Sequence, residues 1–121
     1  GWLRPGEAPP PPPASSWPGG TFRVVDVRDP TAVTACVAEV APSAILNLAA
    51  VGVAPKDGSG LGEFVAVNVL VPGVLFEAMA SDCVLVQVGS MAQYAEGAGA
   101  LVEDESPREN ATPYAWSKNA A

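Results

Sequence analysis

The sequence has 121 residues, of which 49% are hydrophobic and 16% charged, so it has room for one small domain and is too apolar for a disordered chain. Six Lys and Arg residues against 13 Asp and Glu residues give a net charge of −7, which disfavours a nucleic-acid partner. His is absent, which excludes His-dependent triads and the usual His-containing zinc sites.

The first part of the chain is predicted to be a linker or a surface loop. Residues 1–20 contain seven Pro and four Gly, a composition that favours extended polyproline conformation and cannot build a packed core. The β-branched run at 22–27 then predicts a strand. Asp29 followed by Pro30 is typical of a helix start, and the apolar spacing predicts a helix to about Val40, stopped by Pro42. Its predicted buried face comprises Ala32, Val33, Cys36, Val37 and Val40.

Two further strands and two further helices are predicted downstream. Residues 44–49 form an apolar run that indicates a parallel strand covered on both faces. Residues 63–80 are expected to form a long helix that Pro72 weakens or kinks. Residues 83–88 predict the third strand, and a second cap-then-Pro pair at Thr112 starts the last helix.

This alternation of strands and helices predicts an α/β fold with a parallel sheet and right-handed crossovers. Ligands of such sheets bind beyond the carboxyl ends of the strands. Asp26, residues 47–50 and Ser90 follow three predicted strands, so we expect them to face one crevice. Cys36 and Cys83 match no metal-binding spacing, so we expect two buried, reduced thiols and no metal site. With no signal sequence or uninterrupted apolar span, we expect a cytoplasmic protein with no membrane partner.

Tyr114 and Lys118 are the residues with the clearest chemistry. They are four positions apart in the last predicted helix, so their side chains share one face. An ammonium close to a phenol stabilises the phenolate, which makes tyrosine a candidate proton donor and acceptor. Ser90, at the end of the neighbouring strand, could donate a hydrogen bond to a substrate oxygen. Together the three predict a site that polarises a carbonyl and transfers a proton without His.

Five segments in order resemble the extended short-chain dehydrogenases/reductases, the NAD-dependent epimerase/dehydratase family, which acts largely on nucleotide sugars. YxxxK alone is a weak signal, but five motifs at plausible spacing are specific. Within the family, GSxxxY with a following acidic loop at 103–107 looks most like the reductases and dehydratases of GDP-deoxymannose metabolism. The segments are VDVRD at 25–29, NLAA at 47–50, VNV at 67–69, VGSMAQY at 88–94 and PYAWSK at 113–118.

The resemblance implies catalytic roles for Ser90, Tyr114 and Lys118. Tyr114 would be the acid/base, Lys118 would bind the nicotinamide ribose and stabilise the phenolate, and Ser90 would hold the substrate hydroxyl or keto oxygen. The implied cofactor is NAD or NADP, with a nucleotide-sugar substrate and a possible homodimer built from the helices near Glu63 and Pro113. The implied cofactor-binding residues are Asp26 and Val27 at the adenine, Leu48, Ala49, Ala50 and Asn68 near the pocket, and Tyr114 and Lys118. A purely structural hydrogen bond is an equally good interpretation of Asn68.

The sequence also departs from the family. The GxxGxxG turn that binds the pyrophosphate in the family is absent. Ala95 and Asn110 stand where the family commonly has Gly and Pro. Arg4 is a weak candidate for a contact with the 2′-phosphate of a cofactor. We therefore predict residues 21–121 to be a partial Rossmann-like, doubly wound parallel sheet lacking its first strand-turn-helix unit. With a sheet order of 3-2-1-4-5, the strand at 22–27 would be separated from the other two.

Three functions remain open at this point, the third of which is a small flavodoxin-like or other α/β binding module with a Pro-rich tail, where the Tyr114–Lys118 pair would be a coincidence. The first is a fragment of a longer NAD(P)-dependent nucleotide-sugar epimerase, dehydratase or reductase, inactive as an isolated chain. The second is a non-catalytic α/β module that binds a nucleotide or a protein, in which the same three polar side chains would persist without turnover. The sequence does not separate epimerisation, dehydration and reduction, because all three share hydride transfer at a sugar carbon.

Overall fold

A computed structural model describes residues 20, 23–52, 60–95, 99–102, 106, 108, 110 and 112–121. The predicted linker at 1–20 therefore lies outside the described residues except for Gly20, as does Arg4. The elements are helix α1 (Pro30–Val40), strand β1 (Ala44–Asn47), helix α2 (Leu61–Phe64), a π-helical segment (Val65–Leu70), helix α3 (Val71–Ala78), strand β2 (Val84–Gln87), a 3₁₀ turn (Met91–Gln93) and helix α4 (Pro113–Asn119).

Helix α1 begins and ends where its sequence predicts. The Asp29 carboxylate accepts hydrogen bonds from the backbone N–H groups of Thr31 and Ala32 at 2.9 and 3.2 Å, which satisfies two donors that the first turn leaves unpaired. Ala41 follows the helix with φ of 45°. This left-handed residue ends α1, and Pro42 after it disfavours continued helical backbone.

The buried face of α1 is shorter than its apolar spacing predicts. Val33 is buried and Cys36 and Val37 are half-buried, whereas Val40 is 51% exposed. The prediction was wrong for Val40, whose side chain the described residues leave mostly exposed. Both cysteines are free thiols, but only Cys83 is buried, so the expectation of two buried thiols holds for one.

Strands β1 and β2 pair in parallel, with Ala44 opposite Val84 and Asn47 opposite Gln87. The predicted second and third strands are thus confirmed, the second shorter at its carboxyl end and the third shorter by one residue at each end. The long helix at 61–78 connects the two strands, as a parallel pair requires. Because both strands run the same way, their carboxyl ends and the residues after them lie at one edge of the sheet.

The two faces of this sheet differ in burial. Along β1 the side chain of Asn47 is buried and that of Ile45 half-buried, whereas Leu46 is 59% exposed; Val86 on β2 is 47% exposed. The apolar run at 44–49 predicted cover on both faces, and this was wrong for the described residues, whose helices cover one face. A run of apolar residues indicates that both faces of a strand favour burial, but it does not indicate which element covers each face.

The strand predicted at 22–27 is absent from its described part. Residues 23–26 have no regular structure, and a turn follows in which the Asp29 N–H donates to the Asp26 carbonyl at 3.0 Å. A strand exists only with a neighbour to pair with, and the described backbone at 23–26 pairs with neither β1 nor β2. Asp26 therefore begins a turn instead of ending a strand.

Pro72 changes the type of helix before it. Proline lacks an N–H group and its ring crowds the carbonyl four residues earlier, here that of Asn68. The six-residue π helix ends at Leu70, two positions before the proline, and the Val71 N–H donates to the carbonyl of Ala66, five residues earlier. The wider π turn accommodates the ring, so the expectation that Pro72 perturbs this helix is confirmed.

By length and composition, the helix at Leu61–Ala78 could cross a membrane, with 18 residues and a mean hydropathy of 1.6. Core helices of globular domains satisfy the same criterion. Here the helix supplies Phe64, Val67 and Val71 to the core, and it also buries the polar side chain of Asn68. The π segment contacts α4, and α3 contacts α1 and β2.

Candidate active site

Helix α4 carries two of the three predicted catalytic residues. The Thr112 hydroxyl accepts a hydrogen bond from the Ala115 N–H at 3.0 Å, and Pro113 occupies the first turn, so the predicted helix start is confirmed. Tyr114 and Lys118 are one turn apart within α4, which places their side chains on the same face. Tyr114 is half-buried, and Lys118 is only 6% exposed.

The Lys118 ammonium lies at the carboxyl end of β2. Its Nζ donates a hydrogen bond to the carbonyl of Val88 at 3.0 Å. An ammonium carries three N–H donors, and Val88 is the acceptor that the described part of the chain provides. A buried cation with two further donors is a site for a polar ligand, because unsatisfied donors are costly away from water.

Ser90 begins the 3₁₀ turn that follows β2. Its hydroxyl oxygen accepts from the Ala92 N–H at 3.2 Å, and its own N–H donates to Oε1 of Gln93 at 2.7 Å. The two bonds form a capping box, which fixes the backbone around Ser90. Since the hydroxyl oxygen acts there as an acceptor, its O–H remains a donor.

Gln93 connects this turn to α4. Its Nε2 donates to the carbonyl of Lys118 at 2.7 Å and to Oδ1 of Asn119 at 3.2 Å. Sequence reasoning missed Gln93, although a Gln three residues after a Ser cap is the sequence pattern of a capping box. The structure thereby brings the Ser90 turn and the Lys118 end of α4 together.

Asn68 connects the chain after β1 to α4. Its amide accepts from the Val51 N–H at 2.8 Å and donates to the Val51 carbonyl at 3.0 Å and to the Ser117 hydroxyl at 2.9 Å. The Ser117 hydroxyl in turn donates to the Tyr114 carbonyl at 2.8 Å. These contacts support the structural interpretation of Asn68, and cofactor contact stays a prediction. Ser117 was not singled out from the sequence.

The residues after β1 form a turn held by Asn47. Its Oδ1 accepts from the Ala49 N–H at 3.1 Å, and its Nδ2 donates to Oε1 of Gln87 on β2 at 2.7 Å. Leu48 and Ala50 are exposed and Ala49 is half-buried. The small side chains of Ala49 and Ala50 leave the backbone approachable, as the predicted cofactor contact needs.

Asp26 and Val27 belong to a separate exposed turn. The guanidinium of Arg28 donates to both carboxylate oxygens of Asp26, at 2.9 and 2.8 Å. These hydrogen bonds lower the pKa of Asp26 from 3.8 to about 2. The carboxylate is therefore ionised at neutral pH and can accept a bond from an amino group, as its predicted adenine contact requires. Val27 is half-buried beside it.

Tyr94 and Arg108 close the loop between the 3₁₀ turn and α4. They form an antiparallel bridge, and the Arg108 guanidinium lies 5.9 Å from the centre of the Tyr94 ring, within cation–π range. The acidic residues at 103–105 lie outside the described residues. No group of three or more His, Cys, Asp or Glu side chains that could hold a metal occurs in the described ranges.

Comparison with known proteins identifies the family. The model of the NAD-dependent epimerase/dehydratase family matches residues 4–121. A search of curated proteins finds no match. The crystal structure of a candidate epimerase from Burkholderia cenocepacia J2315 is similar, with a TM-score of 0.74 and 26% sequence identity over 98% of this chain and 37% of that one.

The similar structure confirms the partial Rossmann-like α/β fold, and this chain spans little more than a third of its length. The family match covers all five segments on which the resemblance was founded. The match does not distinguish NAD from NADP, and it assigns the chain to the family as a whole and not to its GDP-deoxymannose group. The chain belongs to the NAD-dependent epimerase/dehydratase family.

Proposed function

We propose that this chain is part of a longer NAD(P)-dependent enzyme that epimerises, dehydrates or reduces a nucleotide sugar. Family membership supports the nicotinamide cofactor. The observation that carries the proposal is the buried Lys118 ammonium, which lies on the same helical face as Tyr114. It donates one hydrogen bond to the carbonyl of Val88. A purely structural lysine at this depth would use its remaining donors on the protein.

The described residues fit a nicotinamide cofactor in three places. The two further donors of Lys118 suit ribose hydroxyls, the ionised Asp26 carboxylate suits an adenine amino group, and Ala49 and Ala50 leave room at the end of β1. Oδ1 of Asp26 already accepts from both the backbone N–H and Nε of Arg28, but Oδ2 accepts, among the described residues, only from Nη2 and has a second lone pair for the amino group. When bound, the cofactor supplies a hydride acceptor or donor.

The chain's own residues would then move the proton. Ser90 donates its O–H to the substrate oxygen at the reacting carbon and thereby orients and polarises it. The Tyr114 phenol gives a proton to that oxygen or takes one from it. Lys118 holds the ribose and, one turn away on the same face, stabilises negative charge on the phenol oxygen.

A second copy of the chain is the proposed protein partner. Trp116 is 40% exposed and Leu61 51% exposed, so α2 and α4 present apolar surface on the side away from the core. An apolar groove of about 410 Å³ lies between them, lined by Leu61, Val65, Asn110, Thr112, Pro113 and Trp116. Burial of this surface in a homodimer would remove it from water.

Replacement of Tyr114 by Phe in the full-length protein tests the enzymatic proposal. We expect turnover to fall about 10²- to 10⁴-fold, the contribution of a positioned acid/base, with little change in cofactor affinity. The matched control is Tyr94→Phe, the only other tyrosine in the sequence, which should leave turnover unchanged. Unchanged turnover in Tyr114→Phe would reject the assigned role.

The alternative function, a non-catalytic module that binds a nucleotide or a protein, is favoured by no contact in the described residues. The same variant separates the two. If the full-length protein binds NADH in a fluorescence titration but turns over no nucleotide sugar, with or without Tyr114→Phe, the binding module is the correct interpretation. If it neither binds NADH nor turns over substrate, a protein-binding role remains.

A further inference from the structure

One amide side chain, that of Gln93, joins the two elements that carry the predicted catalytic groups. Its Oε1 accepts from the N–H of Ser90, and its Nε2 donates to the carbonyl of Lys118, both at 2.7 Å. Asn119 adds two longer bonds, from Gln93 Nε2 to its Oδ1 at 3.2 Å and from its own Nδ2 to the Gln93 carbonyl at 3.5 Å. Gln93 therefore contacts the backbone of two predicted catalytic residues at once.

These two backbone groups lack partners in their own elements. The Ser90 N–H lies before the first residue of the 3₁₀ turn, and the Lys118 carbonyl lies in the last turn of α4, where carbonyls have no partner within the helix. A single side chain can serve both only if it carries an acceptor and a donor. A glutamine amide has that combination, and neither glutamate nor methionine does.

The glycine before Ser90 shows how closely Gln93 fits. A Cβ atom at Gly89 would lie 2.6 Å from Oε1 of Gln93, nearer than real contacts allow. The Gln93 side chain thus lies directly over the Gly89 backbone. Any larger residue at 89 would push the amide out of its position between the turn and α4.

We propose that Gln93 is a positioning residue that fixes the distance between the Ser90 hydroxyl and the Tyr114–Lys118 face of α4. The inference rests on the proposed function and extends it to a residue that acts through the backbone of Ser90 and Lys118. Lys118 is then held at both ends, by Val88 at its Nζ and by Gln93 at its carbonyl. Small displacements of such groups slow a reaction strongly, because the bound geometry must be near that of attack.

Steady-state kinetics of Gln93→Met in the full-length protein test this role. Methionine keeps the length of the side chain and removes both hydrogen bonds. We expect kcat to fall about 10- to 100-fold, while KM for the cofactor stays within about twofold. Gly89→Ala displaces the same amide by a second route and should show the same split. Val37→Ala on α1 is the control: it destabilises the fold and should leave kcat unchanged.

A double-mutant cycle with Ser90→Ala separates positioning from mere stability. If Gln93 acts by placing the Ser90 hydroxyl, Gln93→Met should cost little further kcat once that hydroxyl is gone. Additive losses would overturn the proposal, as would an unchanged kcat in both Gln93→Met and Gly89→Ala. The outcome is distinct from failure of the proposed function, in which Tyr114→Phe itself would leave turnover intact.

Discussion

The junction between α4 and the strand ends differs from the turn at 23–28 in how its side chains are held. In the junction, Asn68 bonds to Ser117, 49 positions away, and Gln93 bonds to the carbonyl of Lys118, 25 positions away. In the turn, the Asp26 carboxylate bonds to Arg28, two positions away. The junction exists only when distant parts of the chain have come together, whereas the Asp26–Arg28 contacts need only residues of the turn itself.

Because the junction is buried and the turn is exposed, a lost hydrogen bond costs more stability in the junction than in the turn. Asn68, Ser117 and Lys118 are 6% exposed or less, so a lost partner leaves a polar group that water cannot reach. The turn lies in solvent, where water replaces any bond that breaks. We therefore expect the junction to be intolerant of substitution and the turn to be tolerant, and three experiments test that expectation.

The largest effect is expected for Asn68→Ala. The change removes three hydrogen bonds and leaves both backbone groups of Val51 and the Ser117 hydroxyl without their buried partner. We expect the free energy of unfolding to fall by about 3 kcal/mol, measured by urea denaturation of the full-length protein.

The control for that variant is Asn110→Ala. Asn110 is exposed and makes a side-chain bond of 2.9 Å to Asn119, so its removal should cost no more than about 0.5 kcal/mol. Equal losses of unfolding free energy in the two variants would show that the buried junction contributes no more to stability than the exposed contact of Asn110.

A smaller effect is expected from acid on the turn. The pKa of Asp26 is lowered from 3.8 to about 2 by the hydrogen bonds from Arg28. A lowered pKa means that the pair stabilises the fold above about pH 4, and that this contribution is lost as the pH falls through about 2. Carboxyl NMR titration should show Asp26 titrating near 2 and, in Arg28→Gln, closer to 3.8. A value near 3.8 in the unsubstituted protein would contradict the pairing.

The smallest effect is expected for Arg23→Gln. The guanidinium of Arg23 bonds to the Glu39 carboxylate at 2.7 Å, with side chains 43% and 62% exposed. Exposed ion pairs contribute little because solvent screens them and both side chains lose rotamer freedom. We expect a loss below about 0.5 kcal/mol by urea denaturation, with Glu39→Gln matching it. A loss as large as that of Asn68→Ala would remove the distinction between the two regions.

Local sequence signals predicted the starts of α1 and α4 well, the long helix less closely, with 63–80 expected and 61–78 observed, and the sheet less well. Asp29 and Thr112 each precede a Pro and each cap the helix that follows, because a cap depends only on adjacent residues. The run at 22–27 has the residues of a strand but no neighbour to pair with. Val40 fits the apolar spacing of α1 but lies beyond the covered part. Strand pairing and burial depend on distant residues, which local patterns do not contain.

The sequence by itself determined the caps, the order of helices and strands from α1 onward, and the placement of Tyr114 and Lys118 on one helical face, since each follows from spacing over a few residues. Only the tertiary structure decided which polar side chains bridge the elements. Asn68 and Gln93 could each have faced solvent by local rules. They became bridges because the fold buries unpaired backbone groups beside them, and a buried donor or acceptor must find a partner.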